Sequence, residues 1–426
     1  MKILLIAPPA PFLMNEKVNV PLGIMYLSSF LKKHNYEDTF IRHIASSEAD
    51  AFNEKADVYA FSITTPQFPY AISLLKVCKR INPRALFIAG GVHPTARPNE
   101  CFSYQGDNDL FDYVIRGEGE YALLYLLNCI ESGCSPHSNI IDGMYMDNLA
   151  SLPSPDFDGA DIKSYTYYVG DRLATSLMTS RGCAWDCHFC ASRTMWKSRI
   201  RENSVMNVRK EIKYLKDVYG YSAVVFQDDV FILKKDRIRE IALYLKDEGF
   251  IWRCLIRGDE TTTEEKLKIM KDNNCVYVGF GVESGSQAML DLVNKRTTPE
   301  KNLQIVKLCK SVDLRIKAFF IIGLPGESHE TMSDTIKWLE VAKKEGLDDV
   351  DCNIFYPYPG TVIGDNLGKY DIKLRDSNYE YSFMKGRPGE YRAVVETSHL
   401  TYEDIEKYRD RIYDMFADKT AQARQA

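Results

Sequence analysis

Short runs of aliphatic and β-branched residues alternate along this chain with longer segments in which apolar residues recur every three or four positions. This alternation is typical of parallel strands joined by crossover helices. Two such series occur, and between them lies a stretch rich in proline, serine, aspartate and glycine. The pattern predicts an α/β fold of two domains joined by a linker, and a length of 426 residues leaves room for a third region.

The first series, in residues 1–135, contains five predicted strands and fits a small doubly wound, Rossmann-like domain. The predicted strands are 2–7, 39–43, 58–63, 85–89 and 113–115, with helices at 21–34 and 70–81. Sheets of this type bind ligands at the carboxyl ends of their strands. Turn residues are concentrated at those ends, in Ala7-Pro8-Pro9, Thr64-Thr65-Pro66, Gly90-Gly91-Val92-His93-Pro94 and Gly117-Glu118-Gly119.

The second series begins after a predicted linker at 136–170. Six predicted strands separated by helical patterns favour a partial (β/α)6 TIM-like barrel over 171–360 rather than a full eight-stranded barrel. These strands are 174–179, 223–226, 251–256, 276–280, 317–322 and 350–355. We expect residues 361–426 to form a small, mostly helical region that caps the active site, with a helix at 402–417. Its aromatic side chains are Tyr379, Tyr381, Phe383 and Tyr391.

Composition and charge exclude several classes of protein. With 54 basic and 59 acidic residues the formal net charge is −5, which disfavours a general nucleic-acid-binding surface. The longest apolar run, at 122–130, is less than half of the roughly 20 residues that cross a bilayer, so no membrane span is expected. The first apolar run is broken by Pro8 and Pro9 and is too short for a signal peptide. We therefore expect a cytoplasmic protein.

Three of the eleven cysteines form the sharpest motif, Cys183-x3-Cys187-x2-Cys190, directly after a predicted strand. Three thiolates on one loop can bind a soft metal centre, either zinc or an iron–sulfur cluster. A structural zinc site normally has four protein ligands and an electron-carrying cubane normally has four cysteines, whereas three cysteines leave one iron free for substrate. His188 could complete a zinc site, although its position between two of the cysteines favours a ring that points away.

This motif, with an aromatic residue before its last cysteine and a partial barrel around it, resembles the radical S-adenosylmethionine superfamily. Three later segments match strand-end motifs of that superfamily in order: Phe226-Gln227-Asp228-Asp229-Val230-Phe231, Gly279-Phe280-Gly281-Val282-Glu283-Ser284-Gly285 and Gly323-Leu324-Pro325-Gly326-Glu327. Three other segments resemble the subgroup that carries a cobalamin-binding domain before the barrel. They are Gly90-Gly91-Val92-His93-Pro94, Arg116-Gly117-Glu118-Gly119-Glu120 and Leu152-Pro153-Ser154-Pro155-Asp156. With these segments the resemblance extends from about residue 1 to 360.

The resemblance implies a 4Fe-4S cluster held by Cys183, Cys187 and Cys190, with S-adenosylmethionine bound to the open iron. One electron would cleave the sulfonium bond and give methionine and a 5′-deoxyadenosyl radical, chemistry that the cofactor supplies and the protein directs. An external one-electron donor such as flavodoxin or ferredoxin is implied as a partner.

The same resemblance implies that residues at strand ends contact S-adenosylmethionine. Gln227 and Asp228 are candidates for its ammonium group, since a carboxylate beside an ammonium gives a charge-assisted bond. Glu283 or Ser284 is a candidate for the ribose hydroxyls. Capping of the following helices by Asp228, Asp229 or Glu283 is the alternative interpretation.

Four further positions are implied as S-adenosylmethionine contacts. The backbone near Phe189 and Gly323 is a candidate for adenine, although Gly323 could belong to a plain turn. Arg257, at the end of the third barrel strand, is a candidate for the carboxylate of S-adenosylmethionine or for an anionic substrate. Lys317, on the fifth barrel strand, is a further candidate.

Cobalamin is the third cofactor that the resemblance implies. The chain lacks the Asp-x-His-x-x-Gly signature of base-off cobalamin binding, but members of the resembled subgroup often bind cobalamin without a histidine beneath the metal. The alternative is a domain that keeps the fold and has lost the cofactor. His93 is interpreted as a loop residue more readily than as a cobalt ligand. Candidate contacts with the corrin or its tail are Pro8, Thr64, Thr65, Gly90, Gly91, Val92, His93, Gly117 and Glu118.

The implied function is that of a radical S-adenosylmethionine enzyme that, with cobalamin, methylates an unactivated carbon, or phosphorus, in a small molecule. Two alternatives stay open: a radical cyclisation, oxidation or rearrangement with cobalamin absent or in another role, and a non-enzymatic iron–sulfur redox or scaffold protein. Methylthiolation of transfer RNA would need three N-terminal cysteines and a C-terminal RNA-binding module, which the acidic balance does not favour. Tyr379, Arg387, Tyr391 and Arg392 hint at a polar or anionic substrate, or at tyrosines packed over the barrel mouth.

We expect Cys187→Ala to abolish cleavage of S-adenosylmethionine, because two cysteines cannot hold the cluster with its open iron. Formation of 5′-deoxyadenosine by anaerobically reconstituted protein measures this loss. Retained turnover in the variant would contradict the assignment of the motif.

Overall fold

The computed structural model describes residues 1–375, 379 and 392–417, and its two large sheets divide between the halves of the chain. The strands of the N-terminal half are β1 (Ile3–Ala7), β2 (Thr39–His43), β3 (Val58–Ser62), β4 (Leu86–Gly90), β5 (Ser103–Tyr104), β6 (Asp107–Asn108), β7 (Tyr113–Arg116) and β8 (Ile140–Asp142). Its helices are α1 (Leu22–Lys33), α2 (Phe68–Ile81), α3 (Val92–Ala96) and α4 (Gly119–Glu131).

The N-terminal sheet is parallel and six-stranded, in the order β2-β1-β3-β4-β7-β8. Every residue of β1 is buried, because Ile3 and Leu5 share a core with α1 and α4 while Leu4 and Ile6 share a second core with α2. The doubly wound arrangement is therefore confirmed. The sixth strand, β8, lies in the segment that the sequence presents as a linker.

The second half of the chain forms the other large sheet and the C-terminal region. Its strands are β9 (Tyr167–Val169), β10 (Arg172–Leu177), β11 (Ser180–Arg181), β12 (Arg201–Glu202), β13 (Ala223–Phe226), β14 (Ile251–Ile256), β15 (Cys275–Glu283), β16 (Arg315–Ile322), β17 (Asp349–Ile354), β18 (Lys373–Leu374) and β19 (Val395–Glu396). Its helices are α5 (Ser192–Trp196), α6 (Val205–Tyr219), α7 (Lys235–Asp247), α8 (Glu264–Asp272), α9 (Gln287–Leu292), α10 (Pro299–Ser311), α11 (His329–Lys344) and α12 (Tyr402–Met415). None of the described helices is long and apolar enough to span a membrane.

Six parallel strands, β10 and β13 to β17, follow one another in chain order and form a curled half-barrel, which confirms the predicted partial barrel. Antiparallel β9, outside the predicted strands, extends this sheet beside β10. Along β14, Trp252, Cys254 and Ile256 are buried in the core shared with the helices, and the residues between them are half-buried. Strand residues alternate in direction, so the half-buried set lines the inside of the half-barrel.

Helix α12 covers β17, the last strand of the half-barrel. Buried Arg409 donates from Nε to the Cys352 carbonyl oxygen at 2.9 Å, and the Tyr413 hydroxyl donates to Asp351 at 3.0 Å. A covered edge strand is protected from pairing with another chain. The helix predicted at 402–417 is present, whereas four residues singled out in this region lie outside the described residues: Tyr381, Phe383, Arg387 and Tyr391.

Glu211 of α6 is a buried carboxyl group at the junction between the two halves. Ser154 of the connecting segment forms a hydrogen bond with it, and Asp228 after β13 is a charged neighbour. Its Oε2 atom has no hydrogen-bond partner among the described residues. Burial raises the pKa of Glu211 to about 8, against the opposing effect of the Ser154 bond.

We expect Glu211→Gln to stabilise the protein at alkaline pH. The pKa of this carboxyl group lies above its ordinary value of 4.5 in the folded chain, so the wild type loses stability as pH rises from about 4.5 to about 8. Glutamine has no proton to lose, and the free energy of unfolding should increase by about 5 kcal/mol at pH 8.5 but by less than about 1 kcal/mol at pH 5. Urea unfolding at both pH values measures the difference.

Asp217→Asn is the matched control, because it removes an exposed carboxylate from the same helix. It should change stability little at either pH. An equal gain for Glu211→Gln at pH 5 and pH 8.5 would contradict the raised pKa.

Candidate cofactor and active site

The cysteine motif lies on a loop that starts after β10 and is closed by the antiparallel pair β11 and β12. Asp228, after β13, holds the start of this loop. Its carboxylate accepts hydrogen bonds from the Thr179 amide and hydroxyl, both at 2.7 Å, and from the Ser180 hydroxyl at 2.6 Å. Gly182 follows with φ +96°, and a Cβ there would collide with the Arg199 carbonyl oxygen. The chain therefore enters the loop in one fixed direction.

Cys183, Cys187 and Cys190 are half-buried thiols without a disulfide. Burial raises the pKa of Cys183 and raises that of Cys190 to about 12, so these thiols keep their protons until a metal displaces them. His188 turns aside, since its Nδ1 lies 3.1 Å from the Leu292 carbonyl oxygen, and within the described residues no three His, Cys, Asp or Glu side chains form a single-ion site. The donor set fits an iron–sulfur cluster with one open iron better than a zinc ion.

Arg257, which follows β14, lies against the cysteine loop. Its Nη1 atom is 3.9 Å from Cys187 Sγ, and its guanidinium carbon is 4.4 Å from the centre of the Trp185 ring. Asp259 accepts a hydrogen bond from Nε at 2.7 Å, and the Lys295 carbonyl oxygen accepts one from Nη2. The result is a buried, oriented cation beside the cysteines. Such a cation can bind a ligand carboxylate or offset the negative charge of a cluster.

Gln227 and Lys317 face the inside of the half-barrel. The Gln227 side chain donates to the Ser176 hydroxyl at 3.0 Å and to Asn19 Oδ1 at 3.3 Å, and Asn19 belongs to the N-terminal half. The Lys317 ammonium group lies 3.1 Å from Asp349. Both side chains are on the surface that a substrate in the half-barrel would meet, and their contacts with S-adenosylmethionine stay predictions.

The two acidic residues after β13 have protein partners. Asp228 is 1% exposed, and its bonds to the loop use both carboxylate oxygens, which favours a role in orienting the cysteine loop. The contact of Asp228 with the ammonium group of S-adenosylmethionine stays a prediction. Asp229 accepts a hydrogen bond from the Ser192 hydroxyl at 2.7 Å. Because the N-cap of α7 is Lys234, the capping interpretation of both aspartates is wrong.

Glu283 lies at a register shift in β15 and has a φ of +65°. Its carboxylate binds the buried Lys295 ammonium group at 2.5 Å. The N-cap of α9 is Ser286, so the capping interpretation of Glu283 is also wrong. Neighbouring Ser284 is 1% exposed, with its hydroxyl 3.2 Å from that of Thr335. A strained backbone held by a buried ion pair is typical of a functional position, and the ribose contact stays a prediction.

The two positions predicted near adenine have different surroundings. The Phe189 ring lies 5.9 Å from the Lys295 ammonium group, beside the buried pair with Glu283. Gly323 has a φ of +76°, and a Cβ there would lie 3.1 Å from Val395 and 3.2 Å from Ile405. The C-terminal region therefore packs directly on the end of β16.

Strand ends of the N-terminal sheet meet at one edge. The Gln67 side chain donates to the Pro8 carbonyl oxygen at 2.7 Å, which ties the end of β1 to that of β3. Gly91 has a φ of +100°, and a Cβ there would lie 2.7 Å from the Ile63 amide nitrogen, so only glycine fits this close approach. The predicted cobalamin residues at this edge are Pro8, Thr64, Thr65, Gly90, Gly91, Val92 and Gly117.

His93 differs from the other residues of this edge because its ring is completely buried. It stacks on Phe68 with 4.0 Å between ring centres, and the Tyr379 ring centre lies 4.9 Å away. Its Nε2 atom is 3.5 Å from Glu100, and burial lowers the pKa of His93. These contacts agree with the interpretation of His93 as a packed loop residue, and a contact with the corrin stays a prediction.

Glu118 joins the N-terminal edge to the cysteine loop. Its Oε1 atom lies 3.2 Å from Arg181 and 2.7 Å from Arg201, and its Oε2 atom accepts from Arg201 at 2.8 Å and from the Met146 amide at 2.6 Å. Arg181 also binds Glu120 at 2.7 Å. Burial alone would raise the pKa of Glu118, but the two arginines outweigh it and hold the pKa below its usual range. Arg181 and Arg201 are missed from the sequence because they lie 63 and 83 residues from Glu118.

Comparison with known proteins gives two matching family models, the B12 binding domain over residues 16–127 and the Radical SAM superfamily over residues 177–339. An uncharacterized methyltransferase of Pyrococcus horikoshii is 30% identical over 98% of this chain and 92% of its own length. The cytidylyl-2-hydroxyethylphosphonate methyltransferase of Streptomyces wedmorensis is 25% identical over 97% of this chain and 91% of its own. The radical S-adenosylmethionine methyltransferase TsrM from Kitasatospora setae, solved with cobalamin and a 4Fe-4S cluster, has the same fold, with a TM-score of 0.69, 14% identity and coverage of 98% and 89% of the two chains.

We expect Glu118→Gln to weaken the junction between the two halves, because it leaves Arg201 buried without a counter-charge and Arg181 with Glu120 alone. The free energy of unfolding should fall by about 3 kcal/mol. Asp142→Asn is the control: it removes the partner of Arg116 from an exposed pair and should cost less than about 1 kcal/mol. Urea unfolding at pH 7 measures both variants, and similar small losses would contradict the role of Glu118.

Proposed function

The chain belongs to the cobalamin-binding radical S-adenosylmethionine family, and we propose that it methylates an unactivated carbon of a small molecule. It is a radical S-adenosylmethionine methyltransferase, and its cofactors are a 4Fe-4S cluster, S-adenosylmethionine and cobalamin. When bound, these groups supply the reductive cleavage of S-adenosylmethionine and a carrier for the methyl group. The residues of the chain bind, orient and shield them.

The observation that carries the proposal is the direct ionic contact between the N-terminal strand-end edge and the cysteine loop. Glu118 follows Gly117 at that edge, and Arg181 lies two residues before Cys183. Their ion pair measures 3.2 Å and is buried. A methyl carrier held at the edge and an S-adenosylmethionine held at the loop would therefore lie in adjacent sites, as transfer between them requires.

Individual residues support this arrangement in different ways. We assign the three cysteines to the cluster and Arg257 to the carboxylate of S-adenosylmethionine, because its guanidinium group is already oriented 3.9 Å from Cys187. Asp228 orients the loop through Thr179. Gln227, which contacts Asn19 from the N-terminal half, is kept as a candidate for the ammonium group of S-adenosylmethionine.

Residues after the last barrel strand support the proposed closure of the active site. The Thr194 hydroxyl, in α5 of the cysteine loop, donates to the Gly360 carbonyl oxygen at 2.9 Å. Arg97 of the N-terminal half donates to Asp365 at 2.6 Å. Residues after the last barrel strand thus contact both halves, and we propose that they exclude water from the space between them.

Further parts of the proposal concern the setting of the reaction. Reductive cleavage needs an electron from outside, which supports an external donor such as flavodoxin or ferredoxin. Matches of the family models over 16–127 and 177–339 support a cobalamin-binding unit at 1–135, a connection at 136–170, a barrel at 171–360 and a capping region at 361–426. A cytoplasmic location follows from the need for reduced thiols.

The test uses protein reconstituted anaerobically with iron, sulfide and cobalamin and supplied with S-adenosylmethionine and a reductant. We expect S-adenosylhomocysteine from methyl transfer, dependent on cobalamin, and 5′-deoxyadenosine from reductive cleavage, both measured by mass spectrometry. Cys134→Ala, which changes an exposed cysteine outside the motif, should leave both products unchanged. Formation of 5′-deoxyadenosine alone, by protein that binds no corrinoid, would overturn the proposal in favour of radical chemistry without methyl transfer.

A further inference from the structure

Arg253 lies on the inner face of the half-barrel, on the side of β14 opposite the helices. Its neighbours Trp252 and Cys254 are fully buried, whereas Arg253 is half-buried. Two aromatic rings hold its guanidinium group: the ring centre of Tyr167 lies 4.9 Å away and that of Tyr277 lies 5.1 Å away. Stacking of this kind fixes the planar guanidinium group in one orientation.

No part of the described chain supplies an acceptor for Arg253. In residues 1–375, 379 and 392–417 it makes neither a hydrogen bond nor an ion pair, and its Nε atom is buried without a partner. An unsatisfied buried donor destabilises the folded protein, and a charged donor does so more strongly. An oriented arginine in such surroundings indicates an anion that comes from outside the polypeptide.

The acidic side chains on the inner face of β17 are already paired. Asp349 and Asp351 lie 3.1 and 3.9 Å from the Lys317 ammonium group, and the Tyr413 hydroxyl donates to Asp351 at 3.0 Å. Both carboxylates share this one ammonium group, and neither lies within ion-pair distance of Arg253. They are therefore not the counter-ions of Arg253.

Tyr277 places a hydroxyl beside the guanidinium group, hydrogen-bonded to Tyr167. Burial raises the pKa of Tyr277, although the charge of Arg253 acts against it, so the hydroxyl keeps its proton. The surface beneath is apolar and is formed by a buried cluster against which Tyr167 packs: Val169, Ala174, Ala223 and Val225. A guanidinium fork and a phenol above an apolar floor suit an oxyanion, which accepts several hydrogen bonds in a dry site.

We propose that Arg253 binds an oxyanionic group of the methyl acceptor, either a carboxylate or a phosphoryl group, deep in the half-barrel. This inference rests on the proposed function, because it assumes that the acceptor enters the half-barrel. Three residues separate Arg253 from Arg257, which contacts Cys187, so the two arginine Cα atoms are up to about 13 Å apart along the strand direction. The acceptor therefore carries its charge far from the carbon that is methylated.

The test measures anion binding to the reconstituted full-length protein by titration calorimetry, with inorganic phosphate and acetate as probes. In Arg253→Gln the dissociation constant of the preferred anion should rise at least tenfold. Arg253→Lys keeps the charge but not the forked guanidinium group, and its dissociation constant should lie between those of the wild type and Arg253→Gln. Arg315→Gln is the matched control, because Arg315 pairs with Tyr277 in the strand register and is exposed. It should bind both anions as the wild type does. Preference for phosphate assigns a phosphoryl group, and preference for acetate assigns a carboxylate.

A second measurement needs no variant. Phenylglyoxal labels accessible arginines, and peptide mass spectrometry should show that the preferred anion slows the labelling of Arg253 and not that of Arg315. Equal anion affinity in the wild type and Arg253→Gln, or labelling of Arg253 that neither anion changes, would overturn the inference. S-adenosylhomocysteine formation by the wild type is measured separately, so a failed methyl transfer with intact anion binding would count against the proposed function alone.

Discussion

One carboxylate shared by two buried arginines fixes the relation between the two α/β halves of the molecule. If Glu118 moved, buried Arg201 would lose its counter-charge and Arg181 would keep only Glu120. Aromatic rings hold the same arginines, since Arg181 lies over both Tyr26 and Trp196. The start of the cysteine loop is thus anchored to the N-terminal half as firmly as to its own barrel. The anchor fixes how the start of the cysteine loop meets the strand ends of the N-terminal sheet.

Most of the fold could be predicted because its strands are long, apolar and separated by amphipathic helices. The strands at Thr39–His43, Ala223–Phe226 and Ile251–Ile256 agree with the sequence to the residue. Two strands of the large sheets could not be predicted, Ile140–Asp142 and Tyr167–Val169, each only three residues long. Such a strand shows no alternation of its own, and it exists because a neighbouring strand offers free hydrogen-bonding groups. The proline and serine residues around these two strands correctly indicate a connecting segment. They give no sign that part of the segment pairs with a sheet.

The position of the candidate site could be predicted from the sequence, but the contacts of each side chain could be predicted less well. Motifs mark where strands end, and parallel strands end at one edge, so residues such as Gln227 and Gly91 are found from the chain alone. What a carboxylate contacts is a tertiary property: Asp228 and Glu118 look like ligands in the sequence, yet both are satisfied by distant protein groups. Arg253 shows the opposite case. In the sequence it is an ordinary charged residue in a strand. Only the structure shows that it lies between the rings of Tyr167 and Tyr277 and has no acceptor in the described chain.

Contacts between the C-terminal region and the N-terminal half also constrain the order in which the molecule is assembled. Arg97 and Asp365 are 268 residues apart, and Glu100 and Tyr379 are 279 apart. During translation the N-terminal sheet therefore leaves the ribosome long before its last partner exists. The N-terminal half therefore exists for a time without these two contacts. They form only after the barrel has been synthesised.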